Sequence, residues 1–130
     1  MILIDTHVWI HWINGNAELR DSQRAAIEAA EPVDLLVHAI SLAEVAKLHQ
    51  LRRVDLGSPL DAWLANATSE RLVRVVPVDV ATVVEMSRLP GDIHGDPADQ
   101  ILAASARVLG CSLVTSDRKL LAYPHVETIG

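Results

Sequence analysis

Five acids in this chain each stand at a break in the hydrophobic pattern. Asp5 follows Ile2-Leu3-Ile4, Glu44 closes Ser41-Leu42-Ala43-Glu44, Asp96 and Asp99 flank Pro97-Ala98, and Asp117 follows Ser112-Leu113-Val114-Thr115-Ser116. One at a time, each is explained as helix-start chemistry, because Asp is a favoured N-cap and a carboxylate in the first turn interacts well with the helix dipole. Ser41 to Glu44 fits a capping box, and Asp96 to Asp99 offers a cap, a proline at the first helical position and an acid at the third. Gathered in one cleft, the same acids would repel strongly unless protonated or neutralised by cations, and hard divalent ions take oxygen ligands. The chemistry that suits such a cleft is phosphodiester hydrolysis with one or two Mg²⁺ or Mn²⁺ ions, which needs no serine, cysteine or histidine nucleophile. In that scheme Asp5 binds metal most centrally, Asp99 and Glu44 ligate it or orient the water, and Asp117 holds a second ion or acts through water. Thr6 and Ser116, each next to one of the acids, are the hydroxyls expected to support them.

These acids meet only if the intervening elements bring them together. Residues 2–4 read as a short buried strand, and residues 5–14 as a helix with Val8, Trp9, Trp12 and Ile13 at helical spacing, closed by Gly15. Residues 22–31 read as a second helix stopped before Pro32, 34–40 as a strand, and Ser41 as the start of a helix running to Arg53. A helix over 60–70, a strand over 71–78 and a helix over 80–89 capped by Asp79 follow. The polar loop 90–96 then precedes a helix over 97–110, a strand over 112–116, a short helix near Asp117 and an edge strand over 125–129. Short continuous apolar strands alternating with helices are the pattern of an α/β domain whose parallel sheet is covered on both faces. Ligands in such sheets bind beyond the carboxyl ends of the strands, where these acids fall.

The 130 residues, half of them apolar, suit one domain spanning 1–130. A formal net charge of −6 argues against a broad basic surface for nucleic acid, although carboxylates neutralised by metal contribute to that balance. Cys111 has no internal partner, which suits a reducing compartment. The N-terminal segment has neither a basic region nor a long apolar run, so the expectation is a soluble, cytoplasmic protein with no membrane association. His7 and His11, four apart, have a metal-binding spacing but no evident further ligands. His94, beside Asp96, and Arg118-Lys119, beside Asp117, are candidates for contacting substrate.

In order, residues 2–12 (ILIDTHVWIHW), 39–48 (AISLAEVAKL), 94–106 (HGDPADQILAASA) and 113–117 (LVTSD) make the chain resemble a PIN-domain ribonuclease of the VapC toxin type. The resemblance covers most of the chain. It implies a three-layer α/β/α domain with a central, mostly parallel sheet, and a Mg²⁺- or Mn²⁺-dependent endoribonuclease. It also implies homodimers and a cognate antitoxin that blocks the acids. Its four acids carry over to Asp5, Glu44, Asp99 and Asp117, which leaves Asp96 as the cap of the helix. Where many similar sequences have arginine after the third acid, this one has Gln100, so a cation is missing close to the cleft.

Two other readings fit the residues less well. A phosphoacceptor signalling domain would want paired acids after the first strand and an acceptor acid after a middle strand, and the chain offers only Asp5 and a displaced Asp79. A non-catalytic PIN-like binding module would be marked by loss of an acid, and all four are present.

Overall fold

The computed structural model describes residues 1–130, with strands and helices alternating along the chain. In order these are β1 (Ile2–Ile4), α1 (Thr6–Asn14), α2 (Asp21–Glu28), β2 (Leu35–His38), α3 (Ala39–Gln50) and α4 (Leu60–Ala67). They continue as β3 (Arg74–Val76), α5 (Val80–Ser87), α6 (Pro97–Leu109), β4 (Ser112–Val114), α7 (Arg118–Ala122) and β5 (Thr128–Ile129). Helix α2 ends at Glu28, short of the expected stop before Pro32, and a 3₁₀ turn over Pro32–Asp34 then leads into β2.

All five strands are parallel, in the order β3-β2-β1-β4-β5. Their alternation divides the core in two. Ile4, Leu35, Val37 and Val114 face one layer with Trp9, Ile27, Val45 and Trp63 from the first four helices. Leu3, Leu36 and Leu113 face the other, with Leu102, Ala103 and Ala106 of α6 and Leu120 of α7. This is the three-layer α/β/α domain that the resemblance implies, and Cys111 lies buried in the second layer.

Chain direction positions the site. From β1 the chain steps to β2 and β3 on one side, then returns across the sheet to β4 and β5 on the other. Right-handed crossovers place helices on opposite faces for the two directions, as the two core layers require. Between β1 and β4 the connections diverge, opening a crevice at the carboxyl ends of those strands. Asp5 stands at the end of β1 and Asp117 just beyond β4. No helix is long and apolar enough to cross a membrane.

Candidate active site

Asp5 is buried at that crevice as the N-cap of α1, where its Oδ1 accepts from the Val8 backbone amide at 2.8 Å. Its Oδ2 accepts from the hydroxyl of Thr115, and Thr115 Oγ1 in turn accepts from the Asp117 amide at 3.0 Å. Asp117 caps α7 through Oδ1, which accepts from the amides of Lys119 and Leu120 at 2.9 and 3.0 Å. One fully buried hydroxyl thus ties the ends of β1 and β4 together.

The supporting hydroxyl on this side is therefore Thr115 and not Ser116. Ser116 turns to the opposite environment, where its hydroxyl accepts from Gln23 Nε2 at 2.7 Å. Only the strand register reveals Thr115: Ile4 pairs with Val114, so the next residues, Asp5 and Thr115, stand opposite each other. Thr115→Val keeps the shape but leaves a buried carboxylate oxygen without its donor, so a loss of about 1–3 kcal/mol in unfolding free energy is expected. Urea titration of the metal-free protein checks this, and an unchanged midpoint would show that the hydroxyl does not support Asp5.

Thr6 meets a different acid from its neighbour Asp5. Its Oγ1 donates to Glu44 Oε1 at 2.5 Å and lies 2.9 Å from the Ser41 hydroxyl. The capping box read at Ser41 to Glu44 does not form. Helix α3 begins earlier, capped by His38, whose Nδ1 accepts from the Ile40 amide at 3.0 Å. Ser41 and Glu44 consequently lie within the helix, and both side chains are free to meet Thr6 instead of the backbone.

Asp96 caps α6 by accepting from the amides of Ala98 and Asp99 at 2.9 and 3.3 Å, and Pro97 occupies the first helical position. Asp99, one turn inside, is half-buried and meets His94 Nε2 at 2.6 Å through Oδ2. Asp5, Thr6, His7, Glu44, Asp96, Asp99, Leu102 and Asp117 line one cleft of about 110 Å³. All four of the expected acids and Asp96 are therefore brought together. Larger surface hollows exist elsewhere, but none gathers these groups.

The electrostatics are those of crowded acids in a desolvated place. Burial pushes Asp5 above the ordinary carboxylate range, against the opposing hydrogen bonds from Thr115 and Val8, and the charge of Asp99 adds to the rise. Glu44 is likewise raised chiefly by burial, with Asp99 and Asp96 contributing and Thr6 opposing. Asp99 rises for the same first reason, with Asp96 and Asp117 adding repulsion and His94 relieving it. Repelling carboxylate oxygens around a small polar cleft fit a hard divalent cation, whose charge would offset this cost.

The remaining candidates are dispersed. His11 Nδ1 is engaged by Asn16 Nδ2 at 3.0 Å, and the histidine that joins a cluster of potential metal donors is His94, with Asp99 and Asp117. Arg118 is exposed at the first position of α7. Arg53, with His7 and His11, lines a groove of about 360 Å³ that shares His7 with the acid cleft. Trp63 is core, edge-on to Trp9 at 5.0 Å between ring centroids.

The PIN domain family model matches residues 2–126. Ribonuclease VapC22 of Mycobacterium tuberculosis is 39% identical over 130 residues, covering 98% of this chain and 95% of that protein. Among solved structures, the sarcin-ricin loop cleaving toxin VapC20 of M. tuberculosis superposes with a TM-score of 0.70 at 20% identity, covering 100% of both chains. VapBC2 of Rickettsia felis, bound to a DNA fragment from its promoter, gives a TM-score of 0.69 at 19% identity, covering 98% of this chain and 97% of that one. At those identities the likeness is one of fold.

Proposed function

This chain belongs to the PIN-domain family, and from that premise we propose that it is a divalent-metal-dependent endoribonuclease, the toxin half of a toxin–antitoxin pair acting in the cytoplasm. The observation that carries the reading is the convergence of Asp5, Glu44, Asp99 and Asp117 on one cleft at the sheet's switch point. The 39% identity to a ribonuclease of the VapC type supports the same conclusion.

Asp5, Glu44, Asp99 and Asp117 would hold Mg²⁺ or Mn²⁺, which when bound supplies Lewis acidity and an activated water for attack on phosphorus. The protein's own part is positioning. Thr115 fixes the plane of the Asp5 carboxylate, and Thr6 fixes Glu44 from the neighbouring strand end. Arg118 beside Asp117, and Arg53 along the adjoining groove, are suited to hold the RNA backbone on either side of the acids. Base preference would then come from how unpaired nucleotides splay into the cleft.

An antitoxin is the fitting partner because an acidic cleft of this size is open to a cationic side chain from another protein, and a chain of a toxin–antitoxin complex from Klebsiella pneumoniae has the same fold. A second copy is the fitting homodimer mate for the exposed valines Val75, on edge strand β3, and Val78, Val80, Val83 and Val84, which follow it in the chain.

Expression of the chain without a partner protein in a bacterial host tests the reading as a whole. Growth arrest with accumulation of discrete RNA fragments is expected, and unimpaired growth at verified expression would contradict it.

A further inference from the structure

His94 is more firmly held than a loop histidine next to a glycine would suggest. Ile93 packs into the second core layer on one side. On the other, Gln100 Nε2 donates to the His94 carbonyl at 3.0 Å. Gln100 thus uses its amide to tether the loop, a bond that also gives a local role to the residue where many similar sequences have arginine. The imidazole is left aimed at the acids, with Nε2 at 2.6 Å from Asp99 Oδ2 and its side chain only 17% exposed. One ligand atom each from His94, Asp99 and Asp117 lie within 4.8 Å of one another. Helix α6 supplies Asp99 from its first turn, and the loop before it supplies His94, so the pair spans the Pro97 corner.

We propose that His94 is a nitrogen donor to the metal held by Asp99 and Asp117, so that this cleft selects a first-row transition ion such as Mn²⁺ over Mg²⁺. The inference rests on the acid cleft being the metal site of the proposed nuclease. Its chemistry is that of donor type. Carboxylates alone suit Mg²⁺ and Mn²⁺ alike, whereas imidazole nitrogen favours transition ions, and Mg²⁺ prefers oxygen and retains its water. In the metal-free protein Nε2 faces a carboxylate as a hydrogen-bond donor. For Nε2 to ligate, the ring proton resides on Nδ1, the other imidazole tautomer, with no net change in charge. His94 then exchanges one partner of Asp99, a proton, for another, the cation that both residues share.

The test uses full-length protein stripped of metal, as wild type, His94→Gln, His94→Ala and Asp5→Asn, each checked for folding by circular dichroism. Mn²⁺ and Mg²⁺ binding are measured by calorimetry, and bound Mn²⁺ is examined by pulsed electron paramagnetic resonance for coupling to a directly bonded nitrogen. The expected result is nitrogen coupling in wild type that is absent from both His94 variants. Mn²⁺ affinity should fall by about tenfold or more in those variants, while Mg²⁺ affinity changes by less than about threefold. His94→Gln keeps a hydrogen-bond donor for Asp99, so it separates ligation from positioning. Nitrogen coupling missing from wild type, or persisting in His94→Gln, would overturn the proposal, as would equal losses of both ions. Asp5→Asn distinguishes the two levels of failure. If it abolishes Mn²⁺ binding while His94→Gln binds like wild type, the donor role alone is wrong. If wild type binds neither ion, or Asp5→Asn binds both unchanged, the acid cleft itself is not the metal site.

Discussion

Asp5→Asn is expected to lower RNA cleavage by about 10³-fold or more without unfolding the protein. The magnitude follows from the metal, whose Lewis-acid contribution of several kcal/mol is lost with its central ligand, each ~1.4 kcal/mol being a factor of ten in rate. The folding half follows from the carboxylate's surroundings. Oδ1 accepts from the Val8 amide, a bond that asparagine preserves. Oδ2 accepts from Thr115, and an amide nitrogen there would donate to the Thr115 oxygen instead, leaving the hydroxyl proton without its acceptor. Against that loss stands the removal of a buried charge, because burial has already pushed the Asp5 carboxyl above 3.8. The metal-free variant should therefore unfold in urea at or above the wild-type midpoint. A variant that is inactive because it is unfolded would defeat this account as surely as one that is fully active.

Metal is expected to stabilise the protein by about 2.7 kcal/mol at a hundredfold excess over its dissociation constant, and at one fixed metal concentration by more at pH 8 than at pH 5. The pH dependence has a definite sign. Asp5, Glu44 and Asp99 are all raised, each chiefly by burial. Between the ordinary carboxylate range and their raised values, the folded metal-free protein binds these protons more tightly than the unfolded chain, so their contribution is complete below that ordinary range. It is lost as pH rises through their raised values. A bound cation reverses this by favouring the ionised forms. His38, lowered by burial, and Asp79, lowered by its cap to Thr82, titrate in the opposite sense. Comparing melting temperatures with and without Mn²⁺ at each pH isolates the cleft from both. A metal-induced shift that shrank as pH rose would place the cation elsewhere.

The parts of the site readable from sequence were those set by local rules. Asp5, Asp79, Asp96 and Asp117 each cap a helix as their position before an apolar-periodic run predicts. The strand alternation that separates Leu3 from Ile4 is likewise local. Strand order is not, since nothing in residues 2–4 says that they pair with 112–114 on one side and 35–37 on the other. Thr115 was hidden for that reason: adjacency to Asp117 pointed to Ser116, whereas only the β1–β4 register sets Thr115 opposite Asp5. At Ser41 to Glu44 a local rule pointed the wrong way. The tertiary demand of Thr6 for both side chains, together with His38 as an earlier cap, overrode the capping box. The bond between His94 and Asp99 depends on how the chain turns at Pro97, which composition does not specify.

The central claim is that these carboxylates hold a metal that cuts RNA. It is tested most directly by incubating a structured RNA pool with partner-free wild type and identically purified Asp5→Asn, with Mg²⁺ or Mn²⁺ and with EDTA. Discrete cuts made by wild type, abolished by EDTA, restored by added Mn²⁺ and missing from the variant are the predicted result. Cuts that survive EDTA, or that wild type and Asp5→Asn make equally, would contradict it.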